Sequence, residues 1–196
     1  LSTTNFSAID ATTIAGLSAT QMKGVTATQI AALSTTDAGE FTETQIGAFS
    51  NAQVQALSAT NLSAFDATQT GGLSTTQVAA LTETQIGSLS DDSLSAFTAT
   101  QIEGFADTQL ASLTTTQLSN LSLSDFAKFT DGQIALFAST QLSALSAANF
   151  SAIDATGIAG LTTTQFKGVT ATQLAALTPA DIGELASTQI GVLLTH

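Results

Sequence analysis

Residues 73–80 read LSTTQVAA, and this octad contains both halves of the signal that starts an α-helix. Ser74 is a residue type favoured as an N-cap, and Gln77, three residues later, has the spacing of its partner in a capping box. Leu73 precedes the cap and Val78 follows the cap by four residues, which is the spacing of a hydrophobic staple. The octad therefore predicts a short capped helix that begins at its third residue.

The same octad repeats through the whole chain without insertion or deletion. Cutting the sequence every eight residues from Leu1 gives 24 full octads and the partial octad 193–196. Position one is Leu, Ile, Val or Phe in all 24, position two is Ser, Thr or Asp in 21, position five is Gln in 15 and position six is apolar in 23. So strict a period identifies a repeat protein. We interpret residues 1–196 as one continuous octapeptide-repeat solenoid, taken from a longer array.

The placement of special residues favours a helix in each octad. Pro179, the only proline, is at position three, the first helical residue, where proline is tolerated best. Most acidic residues are at positions two and three, and the three lysines are at positions seven and eight, as the helix dipole favours. Glycine clusters at positions seven and eight, where a chain that leaves a helix often needs it, and small residues there would also let neighbouring helices approach closely.

We therefore predict an all-α fold, a solenoid or superhelix of very short capped helices with one helix per octad. Helices this short are unstable alone, so they must be held by stacking, with positions one and six in the core. A β-solenoid is the alternative, because short threonine-rich periods also suit that architecture.

A second period lies within the first, because Asn, Asp or Ser replaces Gln at position five at regular intervals. The steps between these residues are four, three, four, four, three and four octads, and residues 1–48 match residues 145–192 at 33 of 48 positions, an offset of 18 octads. Both observations predict about 3.6–3.7 octads per superhelical turn. These residues form a candidate surface strip, which is either a ligand or ion ladder or, as we favour, a corner that needs a side chain shorter than Gln. The strip comprises Asn5, Asp37, Asn61, Ser93, Asp125, Asn149 and Asp181.

Composition argues against several functions. Three lysines, no arginine and a net charge of −12 disfavour a nucleic acid or an anionic membrane surface as partner. No apolar run is long enough for a membrane span. His196 is the only histidine and there is no cysteine, so we predict no catalytic residue, no metal ligand and no cofactor site. The acidic pair Asp91 and Asp92 lacks the spacing of a calcium-binding loop. We therefore expect that the protein is not an enzyme.

The repeating unit, L-[ST]-x-T-Q-[IL]-x-[AG], is clear in residues 73–88 (LSTTQVAALTETQIGS) and 25–32 (VTATQIAA). It resembles octapeptide tracts of large bacterial secreted or surface proteins of the adhesin-like type, over the whole chain. The resemblance implies an extracellular or cell-surface location and a structural or adhesive role, and it transfers no binding residue.

We expect a structural rod that acts as a stalk, spacer or scaffold in a large exported bacterial protein, with neighbouring repeats of the same polypeptide as its partners. The alternative is an adhesive module that binds a glycan, a peptide or a surface. Rows of threonine at positions three and four make ice binding a more remote option.

Overall fold

The computed structural model describes residues 1–193, apart from the side chain of Ala11, and this part of the chain contains 24 helices, one per octad. The helices are α1 (Thr3–Ser7), α2 (Ala11–Ala15), α3 (Ala19–Met22), α4 (Ala27–Ala31), α5 (Thr35–Gly39), α6 (Glu43–Gly47), α7 (Asn51–Ala56), α8 (Ala59–Ser63), α9 (Ala67–Gly71), α10 (Thr75–Ala80), α11 (Glu83–Gly87), α12 (Asp91–Ala96), α13 (Ala99–Glu103), α14 (Asp107–Ser112), α15 (Thr115–Asn120), α16 (Leu123–Phe126), α17 (Asp131–Ile134), α18 (Ser139–Ala144), α19 (Ala147–Ser151), α20 (Ala155–Gly160), α21 (Thr163–Phe166), α22 (Ala171–Ala176), α23 (Pro179–Gly183) and α24 (Ser187–Leu193). No strand occurs in residues 1–193, which excludes the β-solenoid alternative.

Every helix begins at position three, as the capping signal predicts. In α10, Ser74 is extended (φ −70°, ψ 159°) and its Oγ accepts a hydrogen bond from the Gln77 backbone N–H at 3.3 Å. The Gln77 Oε1 in turn accepts from the Ser74 backbone N–H at 2.7 Å, which completes the capping box. Where position two is alanine, only the glutamine half of the box forms, with N–H to Oε1 distances of 2.7–2.8 Å at Ala106, Ala138 and Ala186.

Most helices close with a tight turn, and the chain then runs extended into the next cap. After α6, for example, the Ala48 N–H donates to the Gln45 carbonyl at 3.1 Å and the Phe49 N–H donates to the Ile46 carbonyl at 3.0 Å, both with 3₁₀ spacing. None of the described residues has a positive φ, glycines included. The expectation that the chain needs glycine at positions seven and eight to leave each helix is therefore wrong, because the 3₁₀ closure uses backbone angles that other residues adopt equally well.

Several of these glycines instead allow helices to approach closely, which confirms the second expectation for small residues. A Cβ atom on Gly72 would lie 2.7 Å from the Glu43 carbonyl oxygen. A Cβ atom on Gly168 would lie 2.5 Å from the Ser139 carbonyl oxygen. Both distances are shorter than real Cβ contacts, so any larger residue would push the neighbouring helix away.

The chain forms two compact units, residues 1–112 with α1–α14 and residues 113–193 with α15–α24. In each unit the main packing partner of a helix is the helix three places along the chain, as in α4 with α7, α11 with α14 and α19 with α22. This packing agrees with a helical repeat. The continuity of one solenoid over residues 1–196 stays a prediction.

Positions one and six supply the core of both units, as predicted. Position-six residues such as Ile46, Val78 and Leu142 are fully buried. Consecutive position-one phenylalanines pack edge to face, with ring centroids 5.3 Å apart for Phe41 and Phe49 in the first unit and 5.7 Å apart for Phe129 and Phe137 in the second. The polar positions two to four face outward in most octads.

Candidate functional site

The side chain of Gln77 makes three hydrogen bonds, and they join α10 to a distant part of the chain. Its Oε1 accepts from the Ser74 N–H, while its Nε2 donates to the carbonyl oxygens of Ile46 at 2.8 Å and Phe49 at 2.9 Å. Those two carbonyls lie 31 and 28 residues earlier, on either side of the corner between α6 and α7. Both N–H donors and the oxygen of this amide therefore have partners, although the side chain is buried and only 3% exposed.

The same pair of Nε2 bonds, to carbonyls 31 and 28 residues earlier, recurs in both units. We call this set the position-five ladder, and its Nε2 to oxygen distances are 2.6–3.2 Å. Its members are Gln45, Gln53, Gln69, Gln77, Gln85, Gln101 and Gln109 in the first unit, and Gln173 and Gln189 in the second. Each member caps its own helix and binds an earlier corner of the same polypeptide.

The ladder explains why position five is glutamine. Glutamate completes a capping box equally well, but an ionised glutamate has no N–H to donate to the earlier carbonyls. None of the five glutamates in the sequence is at position five of its octad; they are Glu40, Glu43, Glu83, Glu103 and Glu184. This exclusion is the signal that could have revealed the ladder before the structure was known.

Three residues of the candidate surface strip replace a ladder glutamine with a shorter link to an earlier octad. The Nδ2 atoms of Asn61 and Asn149 donate to the carbonyl oxygens of Leu33 and Leu121 respectively, 28 residues earlier and at 2.9 Å in both cases. The Ser93 Oγ donates to the Ser63 carbonyl oxygen at 3.0 Å, 30 residues earlier. All three strip side chains are buried, with 1–2% exposure.

The strip aspartates act as acceptors. Asp37 Oδ2 accepts from the Ser7 Oγ at 2.6 Å and from the Ser34 N–H at 2.9 Å. Partial burial acts to raise the pKa of Asp37, but the hydrogen bonds from Ser7 and Ser34 outweigh it and the pKa lies below the ordinary value. Asp125 forms an ion pair with Lys128 at 2.7 Å.

The other two strip residues differ in exposure. Asp181 is buried and accepts from the Thr178 N–H and Oγ1, both at 2.8 Å, while Asn5 is exposed. Within residues 1–112, successive strip octads contact one another through the bonds of Asp37, Asn61 and Ser93. These bonds agree with the favoured interpretation of the strip as a corner with short side chains, and the alternative of a ligand or ion ladder stays untested.

Sequence reasoning missed two further exceptions at position five, Thr13 and Gly157. Thr13 Oγ1 donates to the Asp10 carboxylate at 3.0 Å. Gly157 leaves room for Asp131, whose Oδ1 would lie 3.1 Å from a Cβ atom at that position. Desolvation raises the pKa of Asp131, and the charge of Asp154 together with a hydrogen bond to it raises that pKa further.

Residues 1–193 contain no group of three or more His, Cys, Asp and Glu side chains placed to hold a metal ion, and His196 lies outside the described residues. Over the same range, every helix is too short and too polar to cross a membrane. An open surface hollow of about 510 Å³ lies between α3, α6 and α7, beside Lys23.

Comparisons with known proteins add no family assignment. No family model matches the chain, and no curated protein sequence matches it. The resemblance of the octad to adhesin-like tracts therefore stays a prediction, and functional proposals depend on the contacts described above.

Proposed function

We propose that the chain is a non-catalytic structural rod, a stalk, spacer or scaffold built as one continuous superhelix with about 3.6–3.7 octads per turn. The position-five ladder is the observation that carries this proposal. Its glutamines bind carbonyls 28 and 31 residues earlier, and the mean of these separations is about 3.7 octads, the period expected from the strip. Ladder octads direct their buried polar groups to earlier octads of the same chain. Each added octad therefore stacks on those before it and lengthens the rod.

The resemblance of the octad to tracts in bacterial secreted and surface proteins supports an extracellular or cell-surface setting for this rod. A spacer in that setting holds other parts of a protein at a distance, so its function depends on its length and on continuous packing. The identity of individual exposed side chains matters much less to such a protein.

A pair of internal deletions tests the proposal. Removing residues 41–96 takes out seven octads, about two turns, and leaves the strip octads that contain Asp37 and Asp125 four octads apart, which is a native step. This chain should stay folded and become shorter by about 20 Å, because layers of helices stack roughly 10 Å apart. Small-angle X-ray scattering measures the maximum dimension, and far-UV circular dichroism measures the helix content.

The matched control removes residues 41–80, which is five octads, and leaves the strip octads of Asp37 and Ser93 only two octads apart. The proposal expects this out-of-phase chain to lose helix content or to melt well below the in-phase chain, although it keeps more residues. Equal melting of both chains, or an in-phase deletion that leaves the maximum dimension unchanged, would contradict the superhelical rod.

The adhesive alternative expects a different result. A ligand would contact the outward positions, such as the exposed side chains of Thr75 and Thr76. Binding of the chain to a glycan array, lost when both threonines are changed to aspartate while helix content and maximum dimension stay unchanged, would favour an adhesive module over a spacer.

A further inference from the structure

An open hollow of about 510 Å³ lies on the surface of the first unit, where α3, α6 and α7 meet. Small residues leave this space, because Ala19 of α3 lines it together with Gly47 and Ala48 at the end of α6. Its volume falls within the range of about 300–1,000 Å³ that small-molecule sites occupy in proteins. The hollow is therefore large enough for a small organic ligand.

The walls of the hollow are held in place by contacts within the chain. Gln53, a ladder member that lines the hollow, donates through Nε2 to the carbonyl oxygens of Met22 and Val25, both at 2.7 Å. Phe49, another lining residue, is only 4% exposed and anchors the corner between α6 and α7 in the core. In addition, α3 packs directly on α6. The hollow is therefore formed before any ligand binds.

The exposure of Lys23, which lines the hollow, follows from its position in the octad. The hollow lies between octad three and the octads that follow it, six and seven, and not on the side where earlier octads would pack. Lys23 is at position seven, and position seven is also exposed at Gln55, Gly71 and Ala79. Octads three and four places away are present on both sides of those three residues. Lys23 is thus open to solvent in the way that position seven is inside the unit.

Lys23 places a positive charge beside the hollow. It is one of three lysines in a chain with no arginine and a net charge of −12. Among residues 1–193 its ammonium group forms no ion pair and no hydrogen bond, whereas the Lys128 Nζ lies 2.7 Å from the Asp125 Oδ1. An anion that enters the hollow therefore meets an ammonium group for which the chain supplies no carboxylate.

The other groups that line the hollow are hydroxyl and methyl groups. Thr44 is exposed, and its Oγ1 forms no hydrogen bond within the described part of the chain. Ala19 and Ala48 add small apolar surfaces. One cation, one available hydroxyl and apolar methyl groups suit a ligand that combines a carboxylate, hydroxyl groups and a C–H face. A sugar ring that carries a carboxylate has all three.

The lysine and the threonine recur together 144 residues later. Lys167 and Thr188 occupy in the second unit the octad positions that Lys23 and Thr44 occupy in the first. The helices beside them, α21 and α24, pack on each other as α3 and α6 do. Lysine occurs at only one other place in the sequence, so its return next to the same partner supports a shared role for the pair.

We propose that the hollow beside Lys23 binds one carboxylated sugar residue, with its carboxylate at the Lys23 ammonium group and a ring hydroxyl at Thr44. The net charge of −12 repels polyanions, and one ammonium group matches one carboxylate. Uronic acids and sialic acids both carry that carboxylate, so both are tested. This binding site goes beyond the proposed spacer role, and it lies within the first unit, so it does not depend on a continuous superhelix.

An NMR titration of the whole isotope-labelled chain of 196 residues tests the proposal. The acidic probes are a methyl glucuronide and a methyl sialoside, and the matching methyl glucoside is the neutral probe. At least one acidic probe should shift the amide signals of Ala19, Lys23, Thr44 and Gly47 in a saturable way. The glucoside should bind about fivefold more weakly, the size of an exposed ion pair. Raising the salt from about 0.15 M to 1 M shortens the Debye length from about 8 Å to 3 Å, so it should weaken binding of the acidic probe.

Substitutions at exposed residues assign the binding to this hollow. Lys23→Gln should weaken binding of the acidic probe about fivefold, whereas Lys23→Arg keeps the charge and should bind within about twofold of the wild type. Thr44→Val removes the hydroxyl at nearly constant size and should weaken binding about threefold. The control is Lys128→Gln, which changes the net charge as Lys23→Gln does but lies in the second unit, and it should leave the affinity within about twofold. Circular dichroism verifies the fold of each variant.

Several outcomes would overturn the proposal. One is that neither acidic probe shifts these amide signals up to its limit of solubility. Another is that the glucoside binds as tightly as the acidic probes, which would exclude the ion pair, or that sodium acetate does, which would exclude a role for the sugar ring. A folded Lys23→Gln variant with unchanged affinity would place the ligand elsewhere, and an equal loss in Lys128→Gln would indicate a general effect of charge.

Discussion

Replacing Gln77 by glutamate separates the two roles of the ladder residue. The variant keeps an oxygen that can accept from the Ser74 N–H, so the helix cap survives. It loses both Nε2 bonds, and it sets a carboxylate oxygen where the amide nitrogen lay 2.8 and 2.9 Å from the carbonyl oxygens of Ile46 and Phe49. We therefore expect a large loss of stability at neutral pH from a change that leaves the side-chain size almost unaltered.

The magnitude follows from burial. Gln77 is only 3% exposed, and burial of a carboxyl group raises its pKa by up to about 3–5 units. At ~1.4 kcal/mol per unit, a rise of two units costs about 3 kcal/mol at pH 7, and a larger rise costs at most about 4 kcal/mol there, because the penalty accrues only between the unfolded pKa of about 4.3 and pH 7. The folded-state pKa lies above the unfolded value of about 4.3, so the variant loses stability as the pH rises through that window. Below about pH 4 the protonated acid regains one donor, and the deficit should fall to about 1–2 kcal/mol.

Urea unfolding followed by far-UV circular dichroism at several pH values measures this difference. The control is Gln21→Glu, since Gln21 is exposed and forms the same capping box with Ser18 but is not a member of the ladder. The control should change the stability by less than about 0.5 kcal/mol at any pH. Equal effects of the two substitutions, or a Gln77→Glu deficit that does not depend on pH, would refute the assigned role of the ladder.

Four further substitutions, one of them a control, test other parts of the fold, all by thermal melting. Gly168→Ala should lower the stability by about 2 kcal/mol, because the added Cβ would lie 2.5 Å from a backbone oxygen of an earlier octad. The control Gly160→Ala, whose added Cβ has no atom within 4 Å, should raise the stability by up to about 1 kcal/mol. Equal effects of the two changes would contradict the close approach at Gly168. Asp131→Asn should raise the melting temperature at neutral pH, because it removes the repulsion between Asp131 and Asp154. This gain should vanish as the pH falls through the raised pKa of Asp131, and a gain that persists in acid would exclude repulsion as its cause. Ala138→Ser should raise the stability by about 1 kcal/mol, because the serine hydroxyl supplies the side-chain acceptor that this cap lacks. An unchanged stability would show that the glutamine half of the capping box is sufficient.

The sequence predicted the local structure well, because the signals of a helix start act over three or four residues. The cap at Ser74, the first helical turn at Pro179 and the burial of Val78 all depend on near neighbours, and all three are found in the structure. The spacing of the candidate surface strip also indicated which octads lie against one another, because the residue type at a stacking corner depends on the space available there.

The contacts between distant octads could not be predicted in the same way. The sequence around Gln77 predicts only its half of a capping box, since its other two bonds reach carbonyls 28 and 31 residues earlier. Those carbonyls belong to the backbone, so no residue type marks them in the sequence. The prediction that glycine is needed where the chain leaves a helix fails for a related reason. A helix end is a local feature, whereas the close approach of Ser139 to Gly168 is set by packing between distant octads.

The direction of the ladder bonds has a consequence for how the chain is made. Each ladder bond in both units runs from a later glutamine to an earlier carbonyl. A ribosome or an export channel that releases the N-terminal end first therefore delivers the acceptors before the donors that need them. Each new octad closes a loop of at most 31 residues onto octads that have already emerged, at a modest cost in chain entropy. Such a chain can fold at the pace of its own emergence, without waiting for its last residue.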